Sequence, residues 1–175
     1  MKAINKIYSL VVIVSLVITG ACSSNIVLLK GVYSQTPAEI ISTKHADSTW
    51  LTIAELFNQN GLSIKKLDKE NGLIVSTKTS FIPAYTFEDE NGKLIEPDAL
   101  VVLRRVFVNN KEWKTHNIFC KWTIQVTENG KGLTTVRVDP VVICTYYPNM
   151  FTSNEEQGQS TGRLEELLKQ SLTSK

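Results

Sequence analysis

The chain is short of the residues that most enzymes and metal sites are built from. It holds two histidines and three cysteines in 175 residues. No His or Cys pair stands at zinc spacing, so HExxH and CxxC chemistry is excluded. GxSxG, SxxK and a phosphate-cradling glycine loop are missing too. A surplus of one charge is absent: 19 Lys and Arg face 17 Asp and Glu, a formal net charge of +2. That excludes a strongly basic nucleic-acid binder. With 21% charged and 8% aromatic residues the chain is not broadly disordered. Its length suits one domain with a core that needs no metal. His45 precedes a helix and His116 precedes a strand; both read as surface residues. A nucleophile pair of Cys120 or Cys144 with His116 is disfavoured, because Cys120 alternates with core residues and a reactive thiol needs an accessible, electropositive setting. The sequence therefore offers no catalytic constellation, no metal ligand and no cofactor; paired carboxylates for glycoside hydrolysis stay open as an alternative, although Glu155-Glu156 reads as a solvated run.

What is present begins at the N-terminus. Lys2 and Lys6 precede an apolar run from Tyr8 to Ile18, too short to span a bilayer comfortably. Thr19-Gly20-Ala21 and Cys22 follow. This order resembles a bacterial lipobox. The resemblance implies that 1–21 is a lipoprotein signal peptide and that Cys22 is acylated, which anchors the chain to a membrane. The competing readings are an uncleaved signal anchor and ordinary cleavage after Ala21. Ser23-Ser24 carries no acidic retention signal, which by the same resemblance implies the periplasmic face of the outer membrane. Residues 1–21 hold two lysines and no acids, so the remainder carries 17 basic and 17 acidic side chains. A balanced remainder gives no long-range steering toward phosphate or anionic lipid, and no nucleic-acid partner is expected.

Residues 22–36 read as a lipidated N-terminus with a short tether or first strand; Ile26-Val27-Leu28-Leu29 looks like a packed strand. Residues 37–175 read as one domain. A strand is expected at 37–43. Trp50, Ile53, Ala54 and Phe57 share one helical face, so a helix is expected at 48–59, capped by Asp47 or Ser48 and stopped at Asn60-Gly61. Leu62 to Leu67 and Leu73 to Val75 flank an Asn-Gly turn. A second acidic turn spans Glu88 to Lys93. Strands are expected at 100–108, 118–127 and 133–146, the last interrupted at Asp139-Pro140, where an edge or bulge belongs. Residues 148–160 look like a polar loop. A final helix carries Leu164, Leu167, Leu168 and Leu172 and is capped by Ser160 or Thr161. The fold class is α+β: an antiparallel sheet with a helix on one face and a C-terminal helix.

Five groups of residues are candidates for a role. Cys120 and Cys144 lie on two arms of one hairpin. If Thr127 or Glu128 faces Leu133 or Thr134, Cys120 falls roughly opposite Val142 and the two cysteines sit on a diagonal, so that a bulge at Pro140 is needed to close a disulfide; two buried thiols are the alternative. Arg104 and Arg105 sit side by side in a strand, so they point to opposite faces, and an inward one needs a partner or a cavity. The acids at 88–90 lack calcium-loop spacing and read as a solvated turn. Trp113 and Trp122, with Tyr146 and Tyr147, are core residues or the lining of a cavity under the first helix. Asp47-Ser48-Thr49 resembles the O-glycosylation acceptor triplet of Bacteroidetes, although a helix cap explains it equally well.

The run from Ser48 to Ser76 has a further likeness. A Trp opens a helix, the helix stops at Gly61, a strand follows, then Asp68-x-x-x-Gly72-Leu-Ile and another strand. It is similar to the domains of the lipoprotein C subunit of the outer-membrane β-barrel assembly machinery, and to small envelope lipoproteins of helix-grip shape. The resemblance covers about thirty residues and is structural. It implies a helix-grip fold with Trp50 packing the helix, and a non-catalytic role beside another envelope protein or complex. A cavity binding a small molecule or glycan is the alternative.

Overall fold

A computed structural model describes residues 24–76, 85–112, 118–129, 132–146 and 154–174. The signal segment, Cys22, Trp113, His116 and Tyr147 lie outside the described residues. Among the described residues the fold is α+β, with three sheets, mostly antiparallel, and two helices.

The central sheet takes the order β2-β11-β10-β4-β3, formed by Ala38–Ser42, Leu133–Val138, Thr123–Asn129, Leu73–Ser76 and Ile64–Asp68. Alternation along these strands decides their faces. Ile40, Ile74, Ile124, Val126, Val136 and Val138 point inward, while Ile41 and Leu133 face solvent. Helix α1 (Ala46–Gln59) covers the inner face with Trp50, Ile53, Leu56 and Phe57. Helix α2 (Arg163–Thr173) adds Leu164, Leu168 and Leu172, the apolar stripe that its spacing requires. Buried polar groups in this layer are satisfied. Ser42 Oγ and Thr49 Oγ1 share a bond of 2.9 Å, and Thr49 and Thr134 both donate to the Lys44 carbonyl.

α1 starts two residues earlier than its apolar face suggests. Its N-cap is His45, with no side-chain capping bond; Asp47 lies in the first turn instead and pairs with Lys69 at 2.7 Å. For α2 the N-cap is Gly162. Ser160 Oγ accepts from the Gly162 N–H and Thr161 Oγ1 from the Arg163 N–H, so both hydroxyls still serve the helix start.

A second sheet takes the order β5-β6-β13-β12-β9, formed by Tyr85–Thr86, Val101–Val102, Asn154–Ser160, Val141–Tyr146 and Ile118–Lys121. Three expectations change here. The arm expected at 118–127 breaks at Trp122 into β9 and β10, which belong to different sheets. Ser76 fixes the corner: its Oγ accepts from the Trp122 N–H, and its N–H donates to the Trp122 carbonyl. Switching sheets at a bend is the usual way such corners form. Residues 154–160 are a strand rather than a loop. β13 pairs with β12 from Asn154 to Gln159 and with β6 at its end. Its polar composition hides it, but an apolar neighbour on each side supplies the ladder. Residues 100–108 are two strands. β6 belongs to this sheet, whereas β7 (Val106–Val108) joins a small third sheet with β1 (Ser24–Ile26) and β8 (Lys111–Glu112).

The hairpin register explains the cysteines. Glu128 faces Thr134 and Ile124 faces Val138, which extrapolates to Cys120 opposite Val142. Beyond Asp139–Pro140 the register is shifted by two residues, and Cys120 stands directly opposite Cys144. Their Cα atoms are 4.2 Å apart and the sulfurs are joined in a disulfide. Both cysteines are fully buried. Gly158 lies against the bridge: an added Cβ would sit 2.5 Å from Val101 Cγ1 and 3.2 Å from Cys144 Sγ.

Candidate interface around the N-terminal strap

The chain leaves β1 at Ile26 and runs on as an extended strap to Thr36. It is not the packed strand expected at 26–29: Ile26, Val27 and Leu28 are exposed. The segment is nonetheless held firmly, with three of its hydrogen bonds made to one residue. The Glu88 carboxylate accepts from the Lys30 N–H at 2.7 Å, the Gly31 N–H at 2.8 Å and the Tyr33 hydroxyl at 2.7 Å. Two successive backbone N–H groups closing on one anion form a small nest. Gly31 permits that approach, since a Cβ there would lie 2.8 Å from both Glu88 Oε1 and the Tyr33 oxygen. Lys30 Nζ also reaches the Glu90 carbonyl, and Gln35 Nε2 meets Gln159 Oε1 at 3.2 Å.

Electrostatics agree with the geometry. Burial pushes the Glu88 carboxyl up, but bonds from Lys30, Tyr33 and Gly31 outweigh it and hold the group below its ordinary value of 4.5. Burial, then the bond to the Glu88 carboxylate and its charge, push the Tyr33 phenol far above its ordinary value of 10.0. Glu88 is thus a buried anion and not part of a solvated turn; only its neighbours Asp89 and Glu90 fit that description. The clue lay in the alternation: Thr86 and Glu88 share the inward side of one extended segment, and an inward acid needs donors.

The two arginines end up on opposite sides of the strap. They lie in the link between β6 and β7 rather than inside a strand. Arg105 lines a slot of about 240 Å³ together with Val27, Leu29, Leu103, Phe107 and Glu88. Its Nε is 3.0 Å from Glu112 Oε1, but the N–H is not aimed at that oxygen. Arg104 lines a larger open groove of about 580 Å³, between the strap and the outer side of β12 and β13. Arg104 Nε is bonded to Glu156 Oε1 at 3.0 Å. The groove wall carries Gln35, Gln157 and Gln159, with Val141 and Val32 at its rim. Its only aromatic lining residue among those described is Tyr33, whose hydroxyl is already committed to Glu88.

Trp122 is in the core at 1% exposure, and its Nε1 has no hydrogen-bond partner among the described residues. Beneath α1 the fully buried Ile53, Phe57, Ile74, Ile124 and Val136 fill the interior. Thr49 of the acceptor-like triplet is fully buried. Among the described residues, no His, Cys, Asp and Glu side chains gather in a group able to hold a metal ion, and no helix is long and apolar enough to cross a membrane. No family model, curated protein or solved structure matches the chain.

Proposed function

We propose that this chain is a lipid-anchored envelope lipoprotein without a catalytic role, which binds another envelope protein or a complex as an accessory module. The observation that carries the reading is the groove beside the strap. Its lining is rich in side-chain amides, with one arginine and the aliphatic Val32 and Val141. Side-chain amides present donors and acceptors suited to a polypeptide backbone. A single aromatic ring, Tyr33, among the described lining residues offers a sugar or a flat small molecule little to stack on. The outer face of β12 and β13 extends the surface, with Val141 and Ile143 exposed next to Gln157 and Gln159.

The anchor rests on the lipobox-like run that ends at Cys22, and the outer membrane, periplasmic side, is the location that run implies. α1 laid on an antiparallel sheet, followed at once by the β3–β4 hairpin, also supports the helix-grip likeness to the C subunit of the barrel-assembly machinery. In-cell crosslinking of the full-length chain tests the reading. A photo-crosslinking amino acid is placed at Gln157 or Ile143, with Leu51 on the exposed side of α1 as the comparison. A discrete adduct with one envelope protein is expected from the first two positions and not from Leu51. Equal or absent adducts at all three positions, in a protein that reaches the membrane, would overturn it.

A further inference from the structure

We infer that the strap is a lipid-contacting surface that seats the domain directly on the bilayer, with Leu28 and Val32 entering the membrane interface. The inference rests on the lipid-anchor reading and adds an orientation to it. Two observations carry it. The first is reach. β1 begins at Ser24, two residues after Cys22. A chain spans at most about 3.5 Å per residue, so an acylated Cys22 holds the start of β1 within about 7 Å of the lipid. No tether long enough to lift the domain away lies between them.

The second observation is the way the strap presents its side chains. The Glu88 clamp turns Tyr33 inward and fixes the backbone at Lys30 and Gly31. The apolar side chains are left outside: Leu28 is 73% exposed and Val32 completely so, with Ile26 half exposed. Single exposed aliphatics are ordinary on any surface. Here four, Val27 included, lie within seven residues, on a segment fixed by hydrogen bonds, beside the anchor. Aliphatic side chains of this kind partition into the headgroup boundary. The chain after residue 21 has balanced charge, which gives no net pull toward anionic lipid, and the Nζ of Lys30, between Leu28 and Val32, is turned to the Glu90 carbonyl, so a zwitterionic surface suits the contact.

The test uses the full-length, lipid-modified chain in dioleoylphosphatidylcholine vesicles, with and without brominated phosphatidylcholine. Leu28→Trp and Val32→Trp are compared with Leu51→Trp. All three sites are exposed, so none of the new rings disturbs the core; every variant also carries Trp113→Phe, and the remaining native Trp50 and Trp122 are buried. Emission of the two strap variants is expected to shift to the blue and to be quenched by bromolipid several-fold more than that of Leu51→Trp. Co-flotation with vesicles but no excess quenching at positions 28 and 32 would overturn the seating and leave the anchor standing. Failure to float, with Cys22 unmodified by mass spectrometry, would overturn the anchor and the seating together.

Discussion

Helix α1 and the N-terminal strap solve opposite problems. The helix turns Trp50, Ile53, Leu56 and Phe57 inward and leaves its polar side in water. The strap turns its hydrogen bonds inward and leaves Leu28 and Val32 in water. The first is held by apolar area and is insensitive to direction; the second by three aligned bonds to one carboxylate. A segment fixed by polar contacts is free to offer apolar side chains to something else. A helix that needs its apolar side chains for the core is not.

The largest effect that separates the two is expected from the helix. Phe57 is fully buried, and Phe57→Ala should cost about 4 kcal/mol, the usual range for a core aromatic. Urea denaturation followed by circular dichroism measures it; a loss below about 1 kcal/mol would mean that α1 is not what closes the core. Next comes the second sheet. The bridge between Cys120 and Cys144 closes a loop with a sequence separation of 24. Its removal, as Cys120→Ala with Cys144→Ala, should cost about 3.5 kcal/mol on the chain-entropy account. An equal stability of oxidised and doubly substituted protein would show that β9 and β12 are held by their packing alone.

The contrast also explains what could be read from the sequence. α1 was legible because the i, i+3, i+4, i+7 pattern is local, and the β10–β11 register was legible because a glycine turn fixes it. The splits at Trp122 and at Leu103–Arg105 were not. Inward alternation of Ile118, Cys120, Trp122, Ile124 and Val126 continues unbroken through the corner, so the pattern cannot reveal that the strand changes sheets. β13 was hidden because Gln and Gly give no apolar signal, and its place comes from its neighbours. The strap was hidden for a third reason. Its donors lie 55 to 58 residues from Glu88, and only the folded chain brings them together. Arg104 and Arg105 were legible as an unusual pair facing two ways; the strap that divides their surroundings was not.

A smaller and local effect is expected from Glu88→Gln. The amide keeps the shape but loses the charge that draws two N–H groups and a phenol together, at a cost of about 2 kcal/mol. Hydrogen exchange should show Lys30 and Gly31 losing protection while α1 keeps its own; simultaneous loss in both would mean that the strap and helix unfold as one unit. The same clamp sets a pH window. Glu88 has a folded-state pKa below its ordinary 4.5, so its contribution is complete above that value and is lost as pH falls through the lower one. Tyr33 is shifted upward from 10.0, so its contribution is complete below that value and is lost only as pH rises further. Strap protection should therefore be flat between about pH 5 and 10 and fall on the acid side first.

The smallest effect marks the other end of the contrast. Asp47 and Lys69 join α1 to the β3–β4 turn at 2.7 Å, and the bond with Lys69 holds the Asp47 carboxyl below its ordinary value. Both side chains are largely in solvent, where such pairs contribute little because water and salt screen them. Asp47→Asn should leave the urea midpoint unchanged within error, in low salt and in high. If the helix is seated by apolar area, removing its best surface ion pair changes nothing. A clear drop at low salt that vanishes at high salt would mean that charge helps to seat α1, and the division between an apolar helix and a polar strap would narrow.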